Sequence, residues 1–313
     1  MKVRNPPAST ARPMPRLEGV VLTLICLLAA ACSDTDPPTD ITTGIAPIGR
    51  RSLMDRPAEV TGPQIHVIYM VSKGGVDRGF DTTGTLERSV IRFQNWFGSL
   101  TAHKFREDQY QGRLDITFFR SSRTDAQIAR FGRFILNALH AELEAAGFDD
   151  PDTKYLIYYD GSNPLTCGNA LQEGSAAAVY LNGSYDGDSC RTPFVQDVGP
   201  PGYWDLAMLH EAMHTLGAVH FNAPNHNDGR RWHVDDGSDL MHGGSDVTWR
   251  PQFVDRDNDD YFGDSLPPWL RNLKNDPILV SGVTVSPPQP GGLLIAPHGF
   301  PPLVDDVIEP RKR

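Results

Sequence analysis

The chain has 313 residues, enough for one large or two small domains. Its apolar and charged fractions are those of a globular protein, with an excess of proline (26) and glycine (29). A formal net charge of −10 argues against nucleic acid or an anionic membrane surface as the main partner.

Lys2, Arg4, Arg12 and Arg16 precede an apolar run at residues 19–31, too short to cross a bilayer comfortably. The run ends in Leu28-Ala29-Ala30-Ala31-Cys32, which resembles a bacterial lipoprotein signal. That resemblance implies a signal peptide over 1–31, lipidation of Cys32 and attachment to the cell-envelope membrane through the lipid. Ordinary secretory cleavage after Ala31 is the alternative, leaving Cys32 unmodified and the protein secreted. Both readings export the chain. Cys26 leaves with the signal. Cys167 and Cys190 remain as an even pair in an oxidising compartment, so a disulfide between them is expected. It would contribute about 3 kcal/mol in the chain-entropy account.

Residues 32–60 are rich in Asp, Pro, Thr and Arg without apolar periodicity, and are expected to form a disordered tether. The domain is expected over 61–280. Residues 64–71 are β-branched and continuous, which predicts a buried strand. Leu86, Val90, Ile91, Phe93, Trp96 and Phe97 recur at helical spacing within 83–100. A second strand is expected at 114–119. A long helix is expected over 125–146, with Ile128, Phe131, Ile135, Leu139 and Leu143 on one face and Gly147 as its stop. A third strand is expected at 155–159 and a short one at 176–181. Alternating strands and helices predict a sheet with helical crossovers. From residue 281 the chain is a Pro- and Gly-rich tail with no predicted element.

The breaker cluster Gly199-Pro200-Pro201-Gly202 precedes a helix whose Leu206, Leu209, Met213 and Leu216 form an apolar face. His210-Glu211-Ala212-Met213-His214-Thr215-Leu216-Gly217-Ala218-Val219-His220 occupies its end. Histidines four apart share one helix face and can reach one ion. His220, ten residues past His210, would lie ~15 Å further along an unbroken helix. Convergence of all three on Zn2+ therefore requires the helix to stop, and Gly217 can take the left-handed conformation that stops it. Three neutral imidazoles leave a tetrahedral zinc one open position, and Glu211 is placed to take a proton from a zinc-bound water. His226, His233 and His242 lie downstream and are expected to be loop or supporting residues rather than ligands.

The motif at 210–220 is similar to that of the metzincin metallopeptidases, whose second hallmark is a methionine in a tight turn beneath the metal. Ser238-Asp239-Leu240-Met241-His242-Gly243-Gly244 resembles that turn, with Met241 as its methionine. Some families of the clan place a zinc-binding tyrosine two residues later, where this chain has Gly243. The resemblance covers roughly residues 61–275. It implies an α+β fold: a twisted mixed sheet backed by two helices, an active-site helix, then a smaller irregular C-terminal subdomain. It also implies that 176–181 is the antiparallel edge strand along which an extended peptide binds.

The expected function is thus an exported, zinc-dependent endopeptidase, monomeric, acting on peptide or protein substrates. Two alternatives stay open: a zinc amidase on cell-wall or conjugated substrates, and a surface-anchored binding protein with a vestigial metal site. Asp255, Asp257 and Asp259 alternate and can ligate Ca2+, though a solvated acidic loop is the favoured expectation.

Overall fold

The computed structural model describes residues 51–185, 188–196, 199–243, 249 and 251–282. The signal, Cys32 and the tail beyond 282 lie outside the described residues. In chain order the elements are β1 (Gln64–Val71), α1 (Thr85–Thr101), β2 (His103–Phe105), β3 (Gln109–Tyr110), β4 (Arg113–Leu114), β5 (Ile116–Arg120), α2 (Asp125–Ala129), α3 (Ile135–Ala145), β6 (Thr153–Tyr159), β7 (Gly168–Ala170), β8 (Ala176–Tyr180), β9 (Ser184–Tyr185), β10 (Asp188–Ser189), α4 (Tyr203–Thr215) and β11 (Leu279–Ser281). The fold is mixed α+β. No helix among the described residues is long and apolar enough to cross a membrane.

The main sheet runs β5-β1-β6-β8-β7. Its first four strands are parallel and β7 is antiparallel to β8. All eight residues of β1 are buried, as expected of a central parallel strand covered on both faces. One face packs on α1 and α4: Val67, Tyr69, Leu156, Tyr158, Ala177 and Val179 share a core with Phe93, Leu206 and Met213. The other face packs on α2 and α3: Ile68, Ile157, Ala176 and Ala178 share a core with Ile128, Leu136 and Leu139. Small residues in β8 let helices approach it closely from both sides.

Several expectations change. The strand expected at 176–181 forms over 176–180, but parallel to β6; the antiparallel edge strand is β7, for which the sequence predicts no element. A three-residue strand carries too short a pattern to be seen. The helix expected over 125–146 is broken: Gly132 takes φ +55° and a 3₁₀ turn separates α2 from α3. Phe131, counted on the apolar face, lies at that break and is exposed. The strand expected at 114–119 is interrupted at Asp115, whose carboxylate binds Arg56.

Residues 51–60, the described end of the expected tether, lie against the sheet. Arg51 pairs with Asp77 and Asp81, Ser52 bridges Thr117, and Glu59 N–H donates to Gln109 O (3.3 Å). The Cys167–Cys190 disulfide is formed, with Cα atoms 5.6 Å apart.

Candidate metal centre

The motif helix α4 begins at Gly202, whose N–H donates to the Asp205 carboxylate (2.8 Å). Asp205 is buried and bound by Arg92 of α1 (Nε–Oδ2 2.6 Å). Burial pushes the Asp205 carboxyl up, and the Arg92 guanidinium works against that shift. This buried ion pair ties α1 to α4, and no local pattern in the sequence announces it. Every residue of α4 is buried, so the helix has no solvent face. Leu206 and Met213 meet the sheet, while its histidines face His233, and His210 also faces Leu240 and Trp249. The helix ends as the glycine predicts: Gly217 has φ +88° and Ala218 N–H donates back to Met213 O (3.2 Å).

His210 and His214 present their Nε2 atoms to each other at 3.1 Å. The third imidazole in the group is His233, whose Nε2 is 3.3 Å from that of His210. The ligand atoms of His210, His214 and His233 lie within 4.8 Å of one another. His220 is not in this group. Past Gly217 the chain turns again at Val219 (φ +56°), and His220 Nδ1 instead accepts from Asn222 N–H (3.2 Å), its ring lying against Phe221. His233, expected as a loop residue, stands in the group with His210 and His214 where His220 was expected. A loop residue follows no helical period, and the spacing of His233 carries no signal. Gly243 would have been a clue: a Cβ there would sit 2.5 Å from His233 Cγ. The chain needs a glycine at this position to admit the His233 ring.

Each histidine is held from its other nitrogen by an atom that only accepts. His210 Nδ1–H donates to Leu240 O (2.6 Å), His214 Nδ1–H to Gln172 Oε1 (3.1 Å), and His233 Nδ1–H to Arg231 O (2.7 Å). All three are thereby fixed in the tautomer whose Nε2 lone pair points inward. Nitrogens ~2.1 Å from a tetrahedral ion stand about 3.4 Å apart, close to the spacing found, so the group fits a divalent cation. Three lone pairs facing one another without a cation would repel. The donor set suits zinc and leaves one position open.

The Leu240 carbonyl comes from a turn closed by His242 N–H donating to Asp239 O (3.3 Å), with Met241 buried within it. Asp239 fixes the turn by accepting from Met241 N–H (2.7 Å) and from the Tyr261 hydroxyl (2.8 Å). Burial holds the Asp239 carboxyl well above the usual range, against those two hydrogen bonds.

Glu211 lies under β7: a Cβ on Gly168 would collide with its Oε1. Glu211 and the three histidines are all buried, at 0–1 % exposure. Gln172 and Glu173 of the β7–β8 turn continue the contact, Glu173 N–H donating to His214 O (3.0 Å). The acidic group expected at Asp255, Asp257 and Asp259 is instead Asp255, Asp259 and Asp260. Asp257 is exposed and not part of the group, while Asp255 Oδ2 accepts backbone N–H groups from Asp260, Tyr261 and Phe262 (3.1, 2.8 and 2.7 Å) and so staples its own loop.

No family model matches the sequence, and no curated protein matches it. Among solved structures, metalloproteinase-II from Bacteroides fragilis is similar at 16 % identity and a TM-score of 0.29, over 66 % of this chain and 54 % of that one. The chain thus spans about half the length of that structure. Likeness at this level carries no argument about activity.

Proposed function

We propose that this chain is an exported zinc-dependent endopeptidase with His210, His214 and His233 as metal ligands and Glu211 as the base. The observation that carries the reading is the inward convergence of three tautomer-fixed imidazoles beside a carboxylate on the same helix. Zinc bound there would polarise a substrate carbonyl and lower the pKa of water to roughly 7. Glu211 accepts the proton from the attacking water and returns it to the leaving amine nitrogen. Gly168 keeps the carboxylate close under β7. The outer edge of β7 offers an extended peptide a strand to pair with. Met241, in the turn that supplies the Leu240 carbonyl, is the counterpart of the turn methionine that the motif resemblance implies.

A second reading has one observation behind it. The complete burial of Glu211 and the three histidines suits a closed metal site without turnover, in a surface-anchored binding protein.

Metal analysis and digestion of denatured protein substrates separate the two. Glu211→Gln is expected to retain zinc and lose internal cleavage. His233→Ala is expected to lose zinc and His220→Ala to keep it. The reverse result for these two histidines would return the third ligand to His220. Zinc retention by wild type without cleavage of any substrate would favour the second reading.

A further inference from the structure

A second cluster, sharing no residue with the histidine centre, forms where residues 51–56 cross the β5 edge of the sheet. Phe118 N–H donates to Ser52 O (2.9 Å), which lays Met54, Asp55 and Arg56 beside the edge. Behind them is His66 of β1, fully buried between the rings of Phe148 and Tyr155. His66 Nε2 is 3.0 Å from Thr117 Oγ1. The Thr117 hydroxyl donates to Met54 O (3.3 Å), an atom that only accepts, so its oxygen takes the Nε2 proton of His66. His66 Nδ1 then faces Asp108 Oδ2 at 2.7 Å and Asp55 Oδ1 at 3.6 Å. Asp115 completes the group: one ligand atom from each of Asp55, His66, Asp108 and Asp115 lies within 4.8 Å of the others.

Charge and satisfaction both leave this group short of a cation. Three carboxylates meet one guanidinium, that of Arg56 on Asp115, so two negative charges remain. Asp108 Oδ1 is buried with no hydrogen-bond partner, although Asp108 is 3 % exposed. A second proton on His66 would neutralise one charge and leave that oxygen unsatisfied. A divalent ion neutralises both and can take up the oxygen.

We propose that Asp55, His66, Asp108 and Asp115 form a second metal site for a divalent first-row transition ion. An imidazole among carboxylates suits manganese or zinc better than calcium, which takes oxygen ligands. Asp55 comes from the segment before the first strand, and the other three come from the sheet and its loops. The ion therefore fastens residues 51–56 to the domain.

Electron paramagnetic resonance of free Mn2+, titrated with the full chain carrying a single equivalent of zinc for the histidine centre, tests this. One Mn2+ is expected to bind per chain. Asp55→Asn and Asp108→Asn are each expected to weaken that binding at least tenfold, with the zinc content unchanged. Asp55 is exposed, so its variant keeps the fold. Absence of Mn2+ binding, or binding that neither substitution alters, overturns the proposal. So does ¹⁵N NMR that finds His66 doubly protonated in protein saturated with diamagnetic Zn2+ at both sites.

Discussion

Gln172 touches no reacting group, yet it holds one of the three imidazoles. Its Oε1 accepts from His214 and its Nε2 donates to Ala218 O (3.1 Å), so both ends of the amide are committed. That fixes which amide atom faces His214, and hence which nitrogen of His214 carries its proton. Gln172→Ala is expected to weaken zinc binding by about 10–100-fold. Competition with a chelator measures it, and Gln172→Glu, which restores an acceptor, should recover most of the loss. Unchanged affinity in the alanine variant would mean that packing alone holds the ring. Gln172 was invisible in the sequence, because nothing local links it to a histidine 42 positions away.

At the scale of elements, the parts legible in the sequence were those with a local period. β1 occupies the predicted residues, and α1 lies close to the predicted span, because an uninterrupted β-branched run and a 3.6-residue recurrence each need only their own neighbours. The helix stop at Gly217 was legible for the same reason. Features assembled from distant segments were not: His233 arrives by way of a loop, and the short edge strand β7 is defined by its partner rather than by its own three residues. The motif pair His210 and His214 was readable and its third partner was not, since helical spacing fixes the first two and loop closure fixes the third. β7 also gives a test. Gly168→Ala places a methyl where the Glu211 carboxylate lies, and that carboxylate is too enclosed to move freely. Zinc content should persist while cleavage falls by about a hundredfold, the usual consequence of misplacing a catalytic group by an ångström. Equal loss of both would show that the strand supports the ligands as much as the base.

For the whole molecule, stability should depend on pH through His140 of α3. Burial lowers its pKa from the ordinary 6.5, and Glu144, 3.8 Å away, offsets part of that. The neutral ring is 3.0 Å from Ser175 Oγ. The folded state therefore resists taking the proton that the unfolded chain accepts once the pH drops below about 6.5. Stability contributed by the neutral ring is present above that pH and lost as pH falls toward the lowered folded value. Its slope is at most about 1.4 kcal/mol per pH unit for one proton. Urea unfolding at pH 7 and pH 5 should give a smaller drop for His140→Gln than for wild type; equal drops would assign the slope to other groups.

The disulfide bears on when the molecule becomes competent. Cys167 immediately precedes Gly168, the first residue of β7, so the covalent link to Cys190 and the backbone against which Glu211 rests are consecutive in the chain. A chain still reduced lacks that anchor beside its base. Under the proposed export, the strand would be locked only after the protein has left the reducing cytosol. Maturation of the site would then follow a change of surroundings rather than removal of a blocking segment.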